Sequence, residues 1–179
     1  FRGAQVTVVS GPAAVKPDQK DIEVIDVVTA EQMYQSTIEQ YNKGADIVVL
    51  CAAVADYTPA KKSSVKMKKR EDNLTIELLP TKDIAAEIGK IKRQGDILVG
   101  FALETDNETS NAQSKLERKN LDMIVLNSLR DPGAGFAGDT NKINIFFRNG
   151  DSESFPLKSK SAVAEDIVDN IEKLMSNAQ

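Results

Sequence analysis

Histidine is absent from this 179-residue chain, and cysteine occurs once. Without histidine, Ser-His-Asp triads and Cys/His zinc sites are excluded. A single cysteine forms no intrachain disulfide. Because Cys51 sits in an apolar run, an inert buried thiol is expected there. Long hydrophobic runs are also missing: none approaches the roughly 18 residues that cross a bilayer, and no signal peptide is visible. A basic excess is missing as well. Lys and Arg number 23 against 27 Asp and Glu, a balance that argues against a bulk nucleic-acid surface. With 41% apolar and 28% charged residues, the composition is that of an ordinary globular protein, and the length suits one domain.

What is present centres on the stretch from Asp46 to Lys69. Ile47, Val48, Val49, Leu50 and Cys51 form a continuous apolar run, read as a strand buried on both faces. Small residues follow (Ala52, Ala53, Ala55), then Asp56, Pro59 and a basic segment with Lys61, Lys62, Lys66, Lys68, Lys69 and Arg70. Ligands of open α/β sheets sit at the carboxyl ends of strands. A strand releasing a small-residue turn, an acid and then lysines therefore suits a phosphorylated ligand.

Around that stretch the pattern alternates. Val6 to Val9 is a short strand closed by Ser10-Gly11-Pro12, and Ile22 to Val28 a second. Thr29-Ala30-Glu31-Gln32 is a capping box opening a helix with Tyr34, Ile38 and Tyr41 on one stripe, stopped at Gly44. With the next strand this predicts a βαβ unit. Val65 and Met67 alternate with Lys66 and Lys68, and Leu74, Ile76 and Leu78 alternate with polar residues. The spacing predicts a projecting basic β-hairpin. Thr81 is read as the N-cap of a helix with Ile84, Ile88 and Ile91 inward. A strand over Asp96 to Leu103 follows, with Gly100 marking a close approach.

A second capping box at Thr105 to Glu108 opens a helix burying Ala112 and Leu116. Lys115 and Lys119, four apart, share a face of it; the pattern alone fits a solvated face as well as a ligand site. Leu121 to Leu126 reads as a strand, and Asp131 to Asp139 as a glycine-rich loop without GxGxxG spacing. Ile143 to Phe147, the Asn149-Gly150 turn and Glu153 to Leu157 read as a hairpin, before a last helix with Ala164, Ile167, Ile171 and Leu174 on one stripe. The class is α/β: a Rossmann-like, mostly parallel sheet with flanking helices, the basic hairpin and an antiparallel edge.

The ordered blocks AAVADY (52–57), VKMKK (65–69), KDIAAEIG (82–89), VGFALET (99–105), KLERKNLDMIVLN (115–127) and FxxDxN (136–141) resemble one family closely. That family is the phosphopantothenate–cysteine ligase domain of coenzyme A biosynthesis, often fused in bacteria behind a flavin-dependent decarboxylase. The resemblance implies a CTP-dependent ligase that joins 4′-phosphopantothenate to cysteine through an acyl-cytidylate. It implies nucleotide contacts at Ala52, Ala53 and Asp56, and a catalytic and nucleotide-binding role for Lys66. It further implies base recognition around Lys82, Asp83, Ile84 and Ala85, with Lys82 standing where the family usually has proline. Phe101 matches the VGFA block, and Lys115 and Lys119 match a lysine pair on the triphosphate. Also implied are magnesium with the triphosphate, FMN only if a decarboxylase domain is fused upstream, a homodimer, a cytoplasmic location, and no nucleic-acid or membrane partner. Metal ligands are not identified beyond Asp56.

By the same resemblance, the family's first strand, glycine-rich loop and first helix would precede Phe1, so residues 1–179 are expected to be a single ligase domain lacking that segment. Alone, the chain is expected to bind nucleotide without ligation. Two other readings stay open on the residues: an NAD(P)-dependent Rossmann oxidoreductase, whose GxGxxG opening is absent, and a nucleotide-binding module without catalysis. A dinucleotide has little use for Lys66, Lys115 and Lys119 together.

Overall fold

The computed structural model describes residues 2–13, 15–17, 21–61, 63, 65–68, 73–104, 108–128 and 138–177. In chain order the elements are β1 (Val6–Ser10), β2 (Ile22–Asp26), α1 (Ala30–Asn42), β3 (Ile47–Leu50), β4 (Tyr57–Pro59), β5 (Leu78–Pro80), α2 (Ile84–Ile91) and β6 (Ile97–Glu104). They continue with α3 (Glu108–Arg118), β7 (Met123–Ser128), β8 (Thr140–Asn141), β9 (Ile143–Phe147), β10 (Ser152–Ser154), β11 (Lys158–Ser159) and α4 (Lys160–Asn177). The chain forms two compact units, Phe1–Thr37 with Ala52–Asp83, and Ile38–Cys51 with Ile84–Gln179.

In the first unit, β1 and β2 pair in parallel from Val6 opposite Ile22 to Ser10 opposite Asp26. The predicted capping box opens α1 in both directions. The Gln32 amide donates to Thr29 Oγ1 at 3.1 Å, and the Thr29 amide donates to Gln32 Oε1 at 3.0 Å. Farther along, β4 and β5 pair antiparallel, Tyr57 facing Pro80 and Pro59 facing Leu78. This is not the hairpin that alternation predicts, since residues 65–68 and 73–77 carry no strand. Alternation supplies an apolar side, but none of the described residues covers it: Val65, Met67, Leu74 and Ile76 are all exposed. A lone two-stranded ribbon gains too little from pairing without such cover.

The second unit holds a five-stranded sheet ordered β10-β9-β7-β6-β3. β3, β6 and β7 run parallel, while β9 and β10 form the expected antiparallel edge. Side chains alternate between the faces. Ile97, Val99, Met123, Val125, Ile143 and Ile145 meet Val163, Ile167 and Ile171 of α4. The other face buries Leu98, Ala102, Ile124 and Leu126, where α2 and α3 lie against β6 and β7. Gly100 belongs to this packing, because a Cβ there would come within 2.7 Å of Leu121 Cδ1. The close approach is made by a neighbouring leucine.

Several boundaries and burials differ from expectation. β2 and β3 lie in separate sheets, so the βαβ crossover through α1 is not closed by a shared sheet. β3 is an edge strand, with Val49 42% exposed, and is not buried on both faces. Cys51, one residue past its end, is exposed rather than buried. Thr81 is not a helix cap: its hydroxyl donates to the Ala55 carbonyl at 2.6 Å, and α2 starts at Ile84. Ile91 at the other end of α2 is exposed. On α4, Val163 takes the buried place expected of Ala164. β10 is shorter than the predicted Glu153–Leu157 partner. Thr105 to Asn107 of the second capping box and residues 131–137 of the glycine-rich loop lie outside the described residues.

Candidate functional site

The central turn is built from small residues, Ala52, Ala53 and Ala55. After β3, Ala52 and Ala53 are exposed, and the Val54 amide donates back to the Ala52 carbonyl at 3.0 Å, a tight three-residue turn. Asp56 then binds across to the segment preceding α2: the Thr81 amide donates to the Asp56 carbonyl at 2.8 Å. The Thr81 hydroxyl holds Ala55 beside it, and β4–β5 pairing extends the seam. Two blocks distant in sequence, Ala52–Asp56 and Lys82–Asp83, are thereby stitched together through Thr81. The Asp56 side chain is left exposed.

Lys82 points toward α1. Its ammonium pairs with Glu31 Oε1 at 2.7 Å and lies 4.4 Å from the centre of the Tyr34 ring. The hydrogen bond from Lys82 holds the Glu31 carboxyl below its ordinary range. Asp83 occupies the position before the first residue of α2, where a carboxylate suits the helix dipole. Ile84 is buried and Ala85 half-buried. Lys66 is exposed in irregular chain, just after a local turn in which Ser63 Oγ donates to the Val65 carbonyl at 2.6 Å.

Phe101 stands on β6, 38% exposed, in the half of the strand nearer its carboxyl end. Lys115 and Lys119 are both half-buried at the end of α3, joined by the Lys119 amide donating to the Lys115 carbonyl at 3.0 Å. Helix geometry thus puts the pair on one rim, as the spacing predicts. The predicted residues form two groups. Ala52, Ala53, Asp56, Lys66, Lys82 and Asp83 belong to the first compact unit, and Ile84, Ala85, Phe101, Lys115 and Lys119 to the second.

Two features escaped the sequence reading. Gly11, Pro12, Ala13, Lys16, Asp26, Val27 and Val28 line an open hollow of about 550 Å³ at the carboxyl ends of β1 and β2. That is where parallel strands present ligands. Lys16 there pairs with Asp26 at 2.6 Å. The signal was Ser10-Gly11-Pro12 directly after a strand, which reads equally well as a plain turn. The second is Asn127 near the end of β7, whose buried side-chain oxygen has no hydrogen-bond partner among the described residues. Also among these residues, no three His, Cys, Asp or Glu side chains gather to hold a metal.

The chain is similar to several known proteins. The family model for the DNA/pantothenate metabolism flavoprotein C-terminal domain matches residues 1–175. A protein named cysteine/cysteine sulfinic acid decarboxylase, from an unknown prokaryotic organism, is 52% identical over 169 residues, 94% of this chain and 47% of that protein. The coenzyme A biosynthesis bifunctional protein CoaBC of Bacillus subtilis is 41% identical over 172 residues, 96% of this chain and 42% of that protein. The chain therefore spans less than half the length of these relatives. Among solved structures, the C-terminal domain of CoaBC superposes with a TM-score of 0.80 at 32% identity, covering 98% of this chain and 76% of that one.

Proposed function

The chain belongs to the DNA/pantothenate metabolism flavoprotein C-terminal domain family, and from that premise we propose that it is the ligase part of a coenzyme A biosynthesis enzyme. Its substrates are 4′-phosphopantothenate, cysteine and a nucleoside triphosphate, CTP. The observation that carries the reading is the likeness of nearly the whole chain to the solved CoaBC C-terminal domain.

In the first half-reaction, a carboxylate oxygen of phosphopantothenate attacks the α-phosphorus. The bond to the β-phosphate oxygen breaks and pyrophosphate leaves. In the second, the cysteine amine attacks the acyl carbon and forms the amide. CMP leaves with the former carboxylate oxygen, and the amine proton passes to solvent. Both transition states gather negative charge on phosphate oxygens, which fixed cations stabilise. Lys115 and Lys119 serve the triphosphate, and Lys66 serves nucleotide binding and turnover of the acyl-nucleotide. The Ala52–Asp56 turn contacts the nucleotide, the Lys82–Ala85 segment serves base recognition, and Phe101 is assigned to nucleotide binding. Magnesium would neutralise charge on the triphosphate, and Asp56 is the side chain that would help hold it. A cytoplasmic homodimer is part of the same proposal. FMN would be called for only if a decarboxylase domain is fused upstream.

The decarboxylase name of the 52% relative gives a second reading, CO2 release from cysteine or cysteine sulfinic acid. The deciding assay is phosphopantothenate-dependent pyrophosphate release by the full-length protein, with CTP compared to ATP and CO2 release followed in parallel. No pyrophosphate with any triphosphate sinks the ligase reading. Lys66→Gln is expected to fold normally and to slow product formation about 100-fold. An unchanged rate removes Lys66 from the mechanism.

A further inference from the structure

Two residues break local rules, and they break them at the same point. Asn120 is the one non-glycine among the described residues with positive φ, at 55°. It terminates α3 in a Schellman turn: the Leu121 amide donates to the Leu116 carbonyl at 2.9 Å, and the Asn120 amide to Glu117 at 3.1 Å. Glycine is the usual occupant of that position. Gly89 is the opposite case, a glycine inside α2, where alanine would favour the helix by about 1 kcal/mol.

The contact between them accounts for both. Asn120 Nδ2 donates to the Gly89 carbonyl at 2.7 Å, a bond that glycine at 120 could not make. A Cβ on Gly89 would drive into the carbonyl oxygen of Lys119 and stand 2.9 Å from its carbonyl carbon and 3.2 Å from Asn120 Cβ. The peptide of Lys119 is thus fixed on every side. Its amide is bonded to Lys115, its carbonyl lies against bare Gly89 backbone, and the next side chain is anchored to α2.

We propose that Asn120 and Gly89 are positioning residues that fix the backbone of Lys119, and with it the direction from which its ammonium meets a triphosphate. The inference rests on Lys119 acting on that triphosphate, as argued above. A lysine stem is long and rotamer-rich, so anchoring its Cα beforehand leaves less to order on binding. Local sequence preferences give way where function sets a different demand, and here two give way around one lysine.

The test compares Asn120→Gly, Lys119→Gln and the double variant in the full-length protein. Asn120→Gly keeps the left-handed backbone and removes only the anchor. It is expected to raise the KM for the triphosphate about tenfold and to leave the KM for cysteine unchanged. In the double variant the triphosphate KM should be no worse than with Lys119→Gln alone. A wild-type triphosphate KM for Asn120→Gly, or effects that multiply in the double variant, overturns the proposal. If Lys119→Gln itself leaves that KM unchanged, the proposal falls. The ligase reading then still stands or falls separately on phosphopantothenate-dependent pyrophosphate release.

Discussion

β1 and β7 are nearly interchangeable as sequence, VTVV against MIVL, yet they have different fates. Val125 and Leu126 of β7 are almost completely buried, whereas Val6 of β1 is 40% exposed. The difference lies in their cover. β7 is the middle strand of five, with α4 on one face and α2 and α3 on the other. Among the described residues β1 pairs with β2 alone. Nearly all the buried apolar side chains fall in the second unit, with Val27 and Met33 the exceptions from the first. An apolar run specifies extended backbone; burial is specified by residues elsewhere in the chain.

The largest expected effect comes from truncating the centre of the second unit. Met123→Ala removes a fully buried side chain and should cost about 2–5 kcal/mol, read from denaturant unfolding. Val8→Ala, in the half-buried first unit, should cost about 1 kcal/mol; equal losses would break the comparison. Hydrogen exchange should sharpen it, with amides of β6 and β7 opening only in global unfolding and those of β1 and β2 opening at lower free energy. Stronger protection in β1 would contradict the contrast in cover.

A smaller effect tests a polar knot of the second unit. Asp96, with its side chain 10% exposed, accepts from Tyr41 Oη at 2.5 Å and Arg93 Nε at 2.7 Å. Burial pushes its carboxyl upward, but the bonds from Arg93 and Tyr41 outweigh that and hold it below the ordinary aspartate range. The same contact, with burial as the larger cause, raises the Tyr41 phenol. A depressed carboxylate stabilises the fold above its unfolded pKa, and the gain is lost as pH falls through the lower folded value. Asp96→Asn should therefore cost about 1–3 kcal/mol at neutral pH, with the gap to wild type closing below about pH 4. A gap that is constant with pH would assign the loss to packing.

Local signals carried the fold a long way. The capping box at Thr29 to Gln32, the glycine turns at 44 and 150, and the apolar strand runs all lie within a few residues of what they determine. The departures are non-local. Cys51 is exposed one residue past β3, which among the described residues pairs only with β6, and the β4–β5 seam is extended by Thr81 reaching back to Ala55 and Asp56. The site divides in the same way. Lys115 and Lys119 stand one helical turn apart at the end of α3, a relation that spacing alone expresses. Lys82 engages Glu31 and Tyr34 far back in the chain, and the Asn120–Gly89 bond spans α2 and α3. No periodicity announces either.

Cys51 also has an experimental consequence. It is the sole thiol of the chain, exposed, and adjacent to the Ala52–Ala53 turn proposed to contact nucleotide. A thiol-reactive fluorophore would therefore label this chain at one address, with no background from other cysteines. Its emission would report occupancy of the turn in real time, independently of whether any product is formed.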